Sequence, residues 1–257
     1  MSTVSDAVTV EAGAQLVSEL FAGVHGEIES WHAPLRALLE SGSPSAGELD
    51  ALVESLVVPV LAERSAHIVG AGFVCAPDLL ASAPWHLAWW LGKFNTFGVT
   101  ESSAATRRLK ASEDPLADSF RDYTQLEWWR VPTSTRSPHI TGPYVDYLCT
   151  DDYTLTLTVP VIIDDAVVGV VGADLYVEDV ERMLLPALHS MPGTVTLVNR
   201  SARVVVSTNP HRATGSILRL DGLLDSLRGE QRAPSSELPT VVPVPWGGTS
   251  LALVIEQ

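Results

Sequence analysis

The chain has 257 residues, 46% hydrophobic and 18% charged, enough apolar material for a substantial core and too much for a disordered chain. Its net charge of −15 opposes nucleic acid and anionic membranes, whose phosphates such a surface repels, and slightly favours cationic ligands. The two cysteines, Cys75 and Cys149, stand in no CxxC and near no histidine at ligand spacing, which argues against a metal centre and for buried free thiols.

Met1 to Val10 is polar and acidic, without the basic start and apolar run of a secretory leader. No stretch approaches the roughly 18 uncharged apolar residues of a membrane span. The expectation is a soluble, cytoplasmic protein with no membrane partner. Over residues 6–40, apolar side chains recur at three- and four-residue steps, from Val10, Ala14 and Val17 through Phe21, Val24, Ile28 and Trp31 to Leu35, Leu38 and Leu39. This spacing predicts a long helix that Pro34 kinks or splits. Gly42 to Gly47 reads as a linker. Glu48 to Glu63 predicts a second helix, with Pro59 near its end.

The texture then changes. His67 to Cys75, with Gly70 and Gly72, reads as a buried strand. Leu87 to Trp90 follows a Pro-rich turn. Adjacent Trp89 and Trp90 cannot both face inward on a strand, whereas a helix could partly bury both; with Trp85 they read mainly as core, with a pocket wall as the alternative for one of them. Leu155 to Ile163 alternates and is β-branched; Asp164-Asp165 is a turn; Val167 to Leu175 returns, so the two strands form a hairpin. Val177 to Leu188 is a helix with Glu178 and Asp179 at its start, where they suit the helix dipole. Pro192-Gly193 ends it.

The remaining residues predict a smaller β unit. Thr194 to Asn199 and Arg203 to Ser207 flank one short turn. Thr240 to Val244 and Thr249 to Glu256 flank another, Pro245-Trp246-Gly247-Gly248. Leucines at 218, 220, 223, 224 and 227 suggest one helix within residues 216–237 between them. The predicted class is α+β, with a helical region at 1–63, a main antiparallel sheet domain at 64–190 and a smaller unit at 191–257.

Catalytic patterns are missing. Ser207 and Ser216 lack a nucleophile-elbow context, the seven histidines form no HxH or HExxH, and Asp151-Asp152 sits among polar neighbours as a solvated turn. No cofactor motif is present, and Gly247-Gly248 reads as a hairpin turn. What stands out is the stretch from Gln125 to Leu175. It carries Glu127-Trp128-Trp129-Arg130, then Gly142-Pro143-Tyr144-Val145-Asp146, then Thr156-Leu157-Thr158-Val159-Pro160-Val161, then Gly169-Val170-Val171-Gly172-Ala173-Asp174. Aromatic rings and carboxylates recur there at spacings that neighbouring strands could bring together. Such a set holds a small cation better than it transforms a substrate. Extended geometry puts Tyr144 and Asp146 on one face, and a buried Asp174 needs a partner.

This ordered set resembles the Cache family, the PAS-like ligand-sensing domains of bacterial chemoreceptors and sensor kinases. The resemblance covers roughly residues 60–185, and the long first helix and small C-terminal unit suit its double form more loosely. It implies a non-enzymatic sensor. In the amine- and amino-acid-binding branch, a Trp-Tyr pair, the Tyr and Asp of Pro-Tyr-x-Asp, and the Asp ending the Gly-rich strand surround the ligand's ammonium. Carried over, these are Trp128, Trp129, Tyr144, Asp146 and Asp174, with Trp129 in place of the usual Tyr. Amino-acid-binding members also carry an Arg two residues before the first ring, where this chain has Leu126, so the resemblance favours an amine or quaternary ammonium ligand. Arg130, His139 and Trp89 are secondary candidates, the first two as carboxylate partners for the alternative ligands, a small carboxylate or an amino acid. A further alternative is an enzyme acting on a small cationic metabolite in the same pocket. With no output segment in the chain, signalling is expected to pass through an unidentified partner protein or a homodimer made by the N-terminal helix.

Overall fold

A computed structural model describes residues 3–63, 67–97, 106–146, 149–229, 239–245 and 251–257, with side chains described from Val10 onward. The first helix, α1 (Thr3–Glu40), runs through Pro34 without a break. One apolar stripe of it, including Val17, Phe21, Ile28, Trp31 and Leu35, is buried. Each of these large side chains gains about 1.5–3 kcal/mol from leaving water, which outweighs the loss of one backbone hydrogen bond at a proline. Ser45 then caps α2 (Ala46–Leu61): its hydroxyl accepts from the Glu48 N–H while the Glu48 carboxylate accepts from the Ser45 N–H. This reciprocal pair starts α2 two residues earlier than the hydrophobic pattern predicts.

Six strands form the larger sheet: β1 (Gly70–Cys75), β2 (Leu87–Leu91), β3 (Arg107–Arg108), β4 (His139–Val145), β5 (Tyr153–Ile163) and β6 (Ala166–Tyr176). Their order is β3-β2-β1-β6-β5-β4, with every pair antiparallel. The β5–β6 hairpin turns at Asp164-Asp165, both at positive φ, as the sequence predicts. Between β3 and β4 a 3-10 turn (Tyr123–Gln125) leads into α3 (Glu127–Thr135). The helix α4 (Val177–Leu188) follows β6 and leads to a four-stranded sheet. That sheet comprises β7 (Thr194–Asn199), β8 (Val204–Ser207), β9 (Thr240–Pro243) and β10 (Leu251–Glu256), ordered β8-β7-β10-β9. Between β8 and β9 the described residues hold one short helix, α5 (Leu223–Leu227). The rest of the helix expected within 216–237, and the turn at Trp246-Gly247-Gly248, fall partly or wholly outside the described residues.

Both faces of the larger sheet are covered, and this decides what the alternation along each strand means. Leu155, Leu157 and Val159 of β5, Val171, Ala173 and Leu175 of β6, Ala71 and Phe73 of β1, and Trp90 of β2 join the core under α1 and α2. The opposite face presents Thr154, Thr156 and Thr158, Asp174, Val170, Val74 and Trp89 toward α3. Trp89 and Trp90 are therefore both buried, on opposite sides of one strand, which corrects the expectation that only one of them could face inward. The α1 stripe expected to serve a homodimer is already used within the chain. Its buried side chains share one core with Val195, Leu197 and Leu253 of the smaller sheet, and Ser18 donates to the Pro245 carbonyl at 3.1 Å. No helix of the described residues is long and apolar enough to cross a membrane.

Candidate functional site

The site lies on the α3 face of the larger sheet, where β1, β2, β5 and β6 present small residues beneath large ones. Gly70 on β1 makes the room: a Cβ there would lie 3.0 Å from both an Asp174 carboxylate oxygen and the Trp89 indole nitrogen. The strand order places β6 beside β1 and β1 beside β2, so Asp174 and Trp89 meet over that glycine although 85 positions separate them.

Asp174 is 1% exposed. Thr156, its cross-strand partner on β5, donates a 2.6 Å hydrogen bond to Oδ1, and the Cys149 thiol donates to Oδ2 at 3.4 Å. Cys149 also donates to Asp146 at 3.0 Å, so one thiol serves two carboxylates. The register shift between Thr141 and Tyr144 on β4 sets the Tyr144 hydroxyl 2.8 Å from Thr156 and lets it donate to Asp146 at 3.3 Å. Burial pushes the Asp174 carboxyl up to about 7, and the charge of Asp146 adds to the rise. Burial, with both carboxylates, likewise holds the Tyr144 hydroxyl and the Cys149 thiol well above their ordinary values. That direction favours the protonated forms, which act here as hydrogen-bond donors. Cys75 is also a buried free thiol, pushed up by burial.

Trp128 closes the site from α3, and Val74, Leu87, Leu109 and Trp89 complete its apolar lining. About 30 Å³ of free space remains between them, where one water needs roughly 10–15 Å³. Behind Trp128 stands Tyr123, fully buried, its ring stacked on Trp128 at 6.1 Å and its hydroxyl donating to the Cys75 carbonyl at 2.7 Å. Trp85 packs edge-on against Tyr123 at 5.3 Å. At the start of β2, His86 sits 2.9 Å from Asp50 of α2 and 3.0 Å from Glu113, which ties the strand carrying Trp89 to the rest of the fold.

Of the five principal candidates, Trp128, Tyr144, Asp146 and Asp174 line this cavity. Trp129 does not. Successive helix residues diverge by about 100°, so Trp129 turns away and packs on Tyr123 at 5.1 Å. Among the secondary candidates, Trp89 lines the cavity and the other two lie elsewhere. Arg130 is exposed, and His139 lies 3.0 Å from Glu127. The expectation that Arg130 or His139 would bind a carboxylate is thus corrected: among the described residues, no lysine, arginine or histidine lines the cavity. Leu126 is half exposed at the helix start and lies outside the lining. Residues that sequence reasoning missed are Cys149, Thr156, Val74, Leu87, Leu109 and the supporting Tyr123. Alternation offered a signal for Thr156, which shares a strand face with the acids once β5 and β6 are paired. Cys149 offered none. Among the described residues, no group of acids, histidines and cysteines is arranged to hold a metal.

Residues 83–182 match the family model described as methyl-accepting chemotaxis protein-like, first PDC sensor domain. No curated protein matches the chain by sequence. Solved structures share the fold over nearly the whole length. The extracellular domain of the histidine-kinase-type protein mmHK1S-Z3 is 14% identical with a TM-score of 0.65, covering 99% of this chain and 94% of its own. The ligand-binding domain of the Pseudomonas aeruginosa PAO1 amino acid chemoreceptor PctC, in complex with GABA, is 16% identical with a TM-score of 0.56, covering 96% and 97%. That of the Pseudomonas fluorescens chemoreceptor CtaA, in complex with L-valine, is 15% identical with a TM-score of 0.55, covering 96% and 93%.

Proposed function

We propose that this chain, which carries a Cache-type sensor domain, senses a small amine and passes the signal to a partner protein. The observation that carries the reading is the pairing of Asp146 with Asp174 beside the Trp128 and Tyr144 rings, in a cavity whose described lining includes no lysine, arginine or histidine. Two acids in one buried site repel each other, and a single ammonium relieves that repulsion. Its N–H groups gain charge-assisted hydrogen bonds to the carboxylates, and the ring faces add about 0.5–2 kcal/mol of cation–π attraction. The limited free space and the abundance of acceptors favour a primary ammonium over a quaternary one.

PctC and CtaA were solved with amino acids bound. An amino-acid ligand here would bring a carboxylate into a cavity whose described lining offers no cation to receive it. Against an enzymatic reading, Cys149 and Tyr144 are held protonated and serve as donors rather than as nucleophiles. The test is a calorimetric and thermal-shift comparison of short alkylamines with the matching carboxylates and amino acids. Stabilisation by the amines, lost in Asp174→Asn, supports the reading; stabilisation by the acids alone overturns it.

A further inference from the structure

The acids of the site are well supplied with donors, but one donor of the site has no acceptor. The Trp89 indole N–H is buried, its residue 5% exposed, and finds no hydrogen-bond partner among the described residues. Unmatched buried donors are rare in folded proteins, because each carries the full cost of its lost hydration. Trp89 lines the cavity, and its indole nitrogen lies over Gly70 near the Asp174 carboxylate. Each of the two atoms is 3.0 Å from the point where a Gly70 Cβ would sit, so one short ligand reaches both.

Resting on the amine reading above, we infer that Trp89 is a specificity-determining residue that accepts only ligands carrying a neutral hydrogen-bond acceptor close to the ammonium. The chemistry names the class. The acceptor must be compact, because the free space is small. It must be uncharged, because the neighbouring Asp174 carboxylate repels an anion and the described lining offers it no counter-charge. A hydroxyl meets both conditions: it accepts from the Trp89 N–H and has a proton of its own to give to a carboxylate. The expected ligand class is therefore the short amino alcohols, with the ammonium on the Asp146–Asp174 side and the hydroxyl at Trp89. A plain alkylamine of the same length fills the same space but leaves the indole N–H unmatched.

The test compares ethanolamine, n-propylamine and glycine by calorimetry on the wild-type chain and on Trp89→Phe, which removes the N–H and keeps an aromatic ring. Wild type is expected to bind ethanolamine roughly tenfold more tightly than n-propylamine, the worth of one buried donor satisfied rather than orphaned. Trp89→Phe should bring the two within about twofold, chiefly by weakening ethanolamine. Equal affinities in wild type, or a preference that survives in Trp89→Phe, would overturn the role of Trp89 and leave the amine reading standing. Tighter binding of glycine than of ethanolamine would overturn the neutral acceptor. Binding of none of the three by the folded protein would overturn the amine reading itself. If Trp89→Phe does not fold, the wild-type comparison still overturns the proposal when ethanolamine and n-propylamine bind equally.

Discussion

The Thr158 hydroxyl donates a 2.9 Å hydrogen bond to the Trp128 carbonyl. In an α-helix that carbonyl would receive the N–H of the residue four places on, which here is Pro132 and has no N–H to give. The strand β5 thus supplies what the helix α3 lacks, and in doing so it seats Trp128 over the acids. Thr158→Val leaves a buried carbonyl unmatched and is expected to cost about 1–3 kcal/mol of stability. It should also weaken amine binding severalfold through the displaced ring, while Thr158→Ser restores both. Urea denaturation and calorimetry read the two effects.

Trp128 and Trp129 are neighbours with different surroundings, so their alanine variants should separate. Trp128→Ala removes a ring from the cavity and is expected to lower amine affinity about 5- to 30-fold. Trp129→Ala removes packing against Tyr123 and is expected to cost about 3–5 kcal/mol of stability with a smaller effect on affinity per folded molecule. A Trp129 variant that loses affinity as Trp128→Ala does, with no loss of stability, would refute the placement.

Asp174 titrates near 7 in the folded chain, against an ordinary 3.8. Between these values the folded chain holds a proton that the unfolded chain has released. The associated stability is fully present below about pH 4 and is lost as pH rises through about 7, to the extent of roughly a few kcal/mol. Asp174→Asn removes this dependence. The variant should melt above the unliganded wild type at pH 8 and show no difference in slope attributable to this carboxyl between pH 4 and 7, as thermal melts across that range would reveal.

Ligand binding has the opposite sign. An ammonium pairs with the ionised form of Asp174, so amine affinity should rise from pH 6 to pH 8 and level off above it. Binding near pH 7 should release up to one proton, measurable as a dependence of the calorimetric enthalpy on buffer. Affinity that falls over this range would contradict a carboxylate receptor for the ammonium.

Both thiols are buried, and both are held protonated by that burial. The native protein should therefore resist a thiol-reactive dye at pH 8, and two thiols should react once it is unfolded. Because Cys149 lies within the site, a saturating amine should further slow any residual labelling there. Rapid native labelling of Cys149 would show that the thiol is not held between the two acids.

Much of the architecture was legible because it follows from local pattern. The bounds of α4 and the β5–β6 hairpin match the sequence reading residue for residue or within two positions, since periodicity and the Asp164-Asp165 turn are properties of contiguous residues. Pro34 does not split α1: the helix passes through it because the apolar stripe is buried on both sides of the proline. Trp89 and Trp90 misled for a related reason, since a sheet covered on both faces buries every position and removes the contrast that alternation relies on.

By itself the sequence determined which residue types could meet an ammonium, and it placed Tyr144 and Asp146 on one face through strand alternation. It also marked the ends of most elements, because capping, turns and periodicity act over a few residues. Only the tertiary structure decided which rings and donors reach the acids. Asp174 meets Trp89 because β1 lies between their strands with a glycine at the crossing. Cys149 completes the carboxylate pair because its thiol, far from Asp174 in sequence, comes within reach of both Asp146 and Asp174. Trp129, Arg130 and His139 point elsewhere because helix rotation and ion pairing direct them away. Those outcomes depend on strand order and on what covers each face, and no local spacing in the chain encodes either.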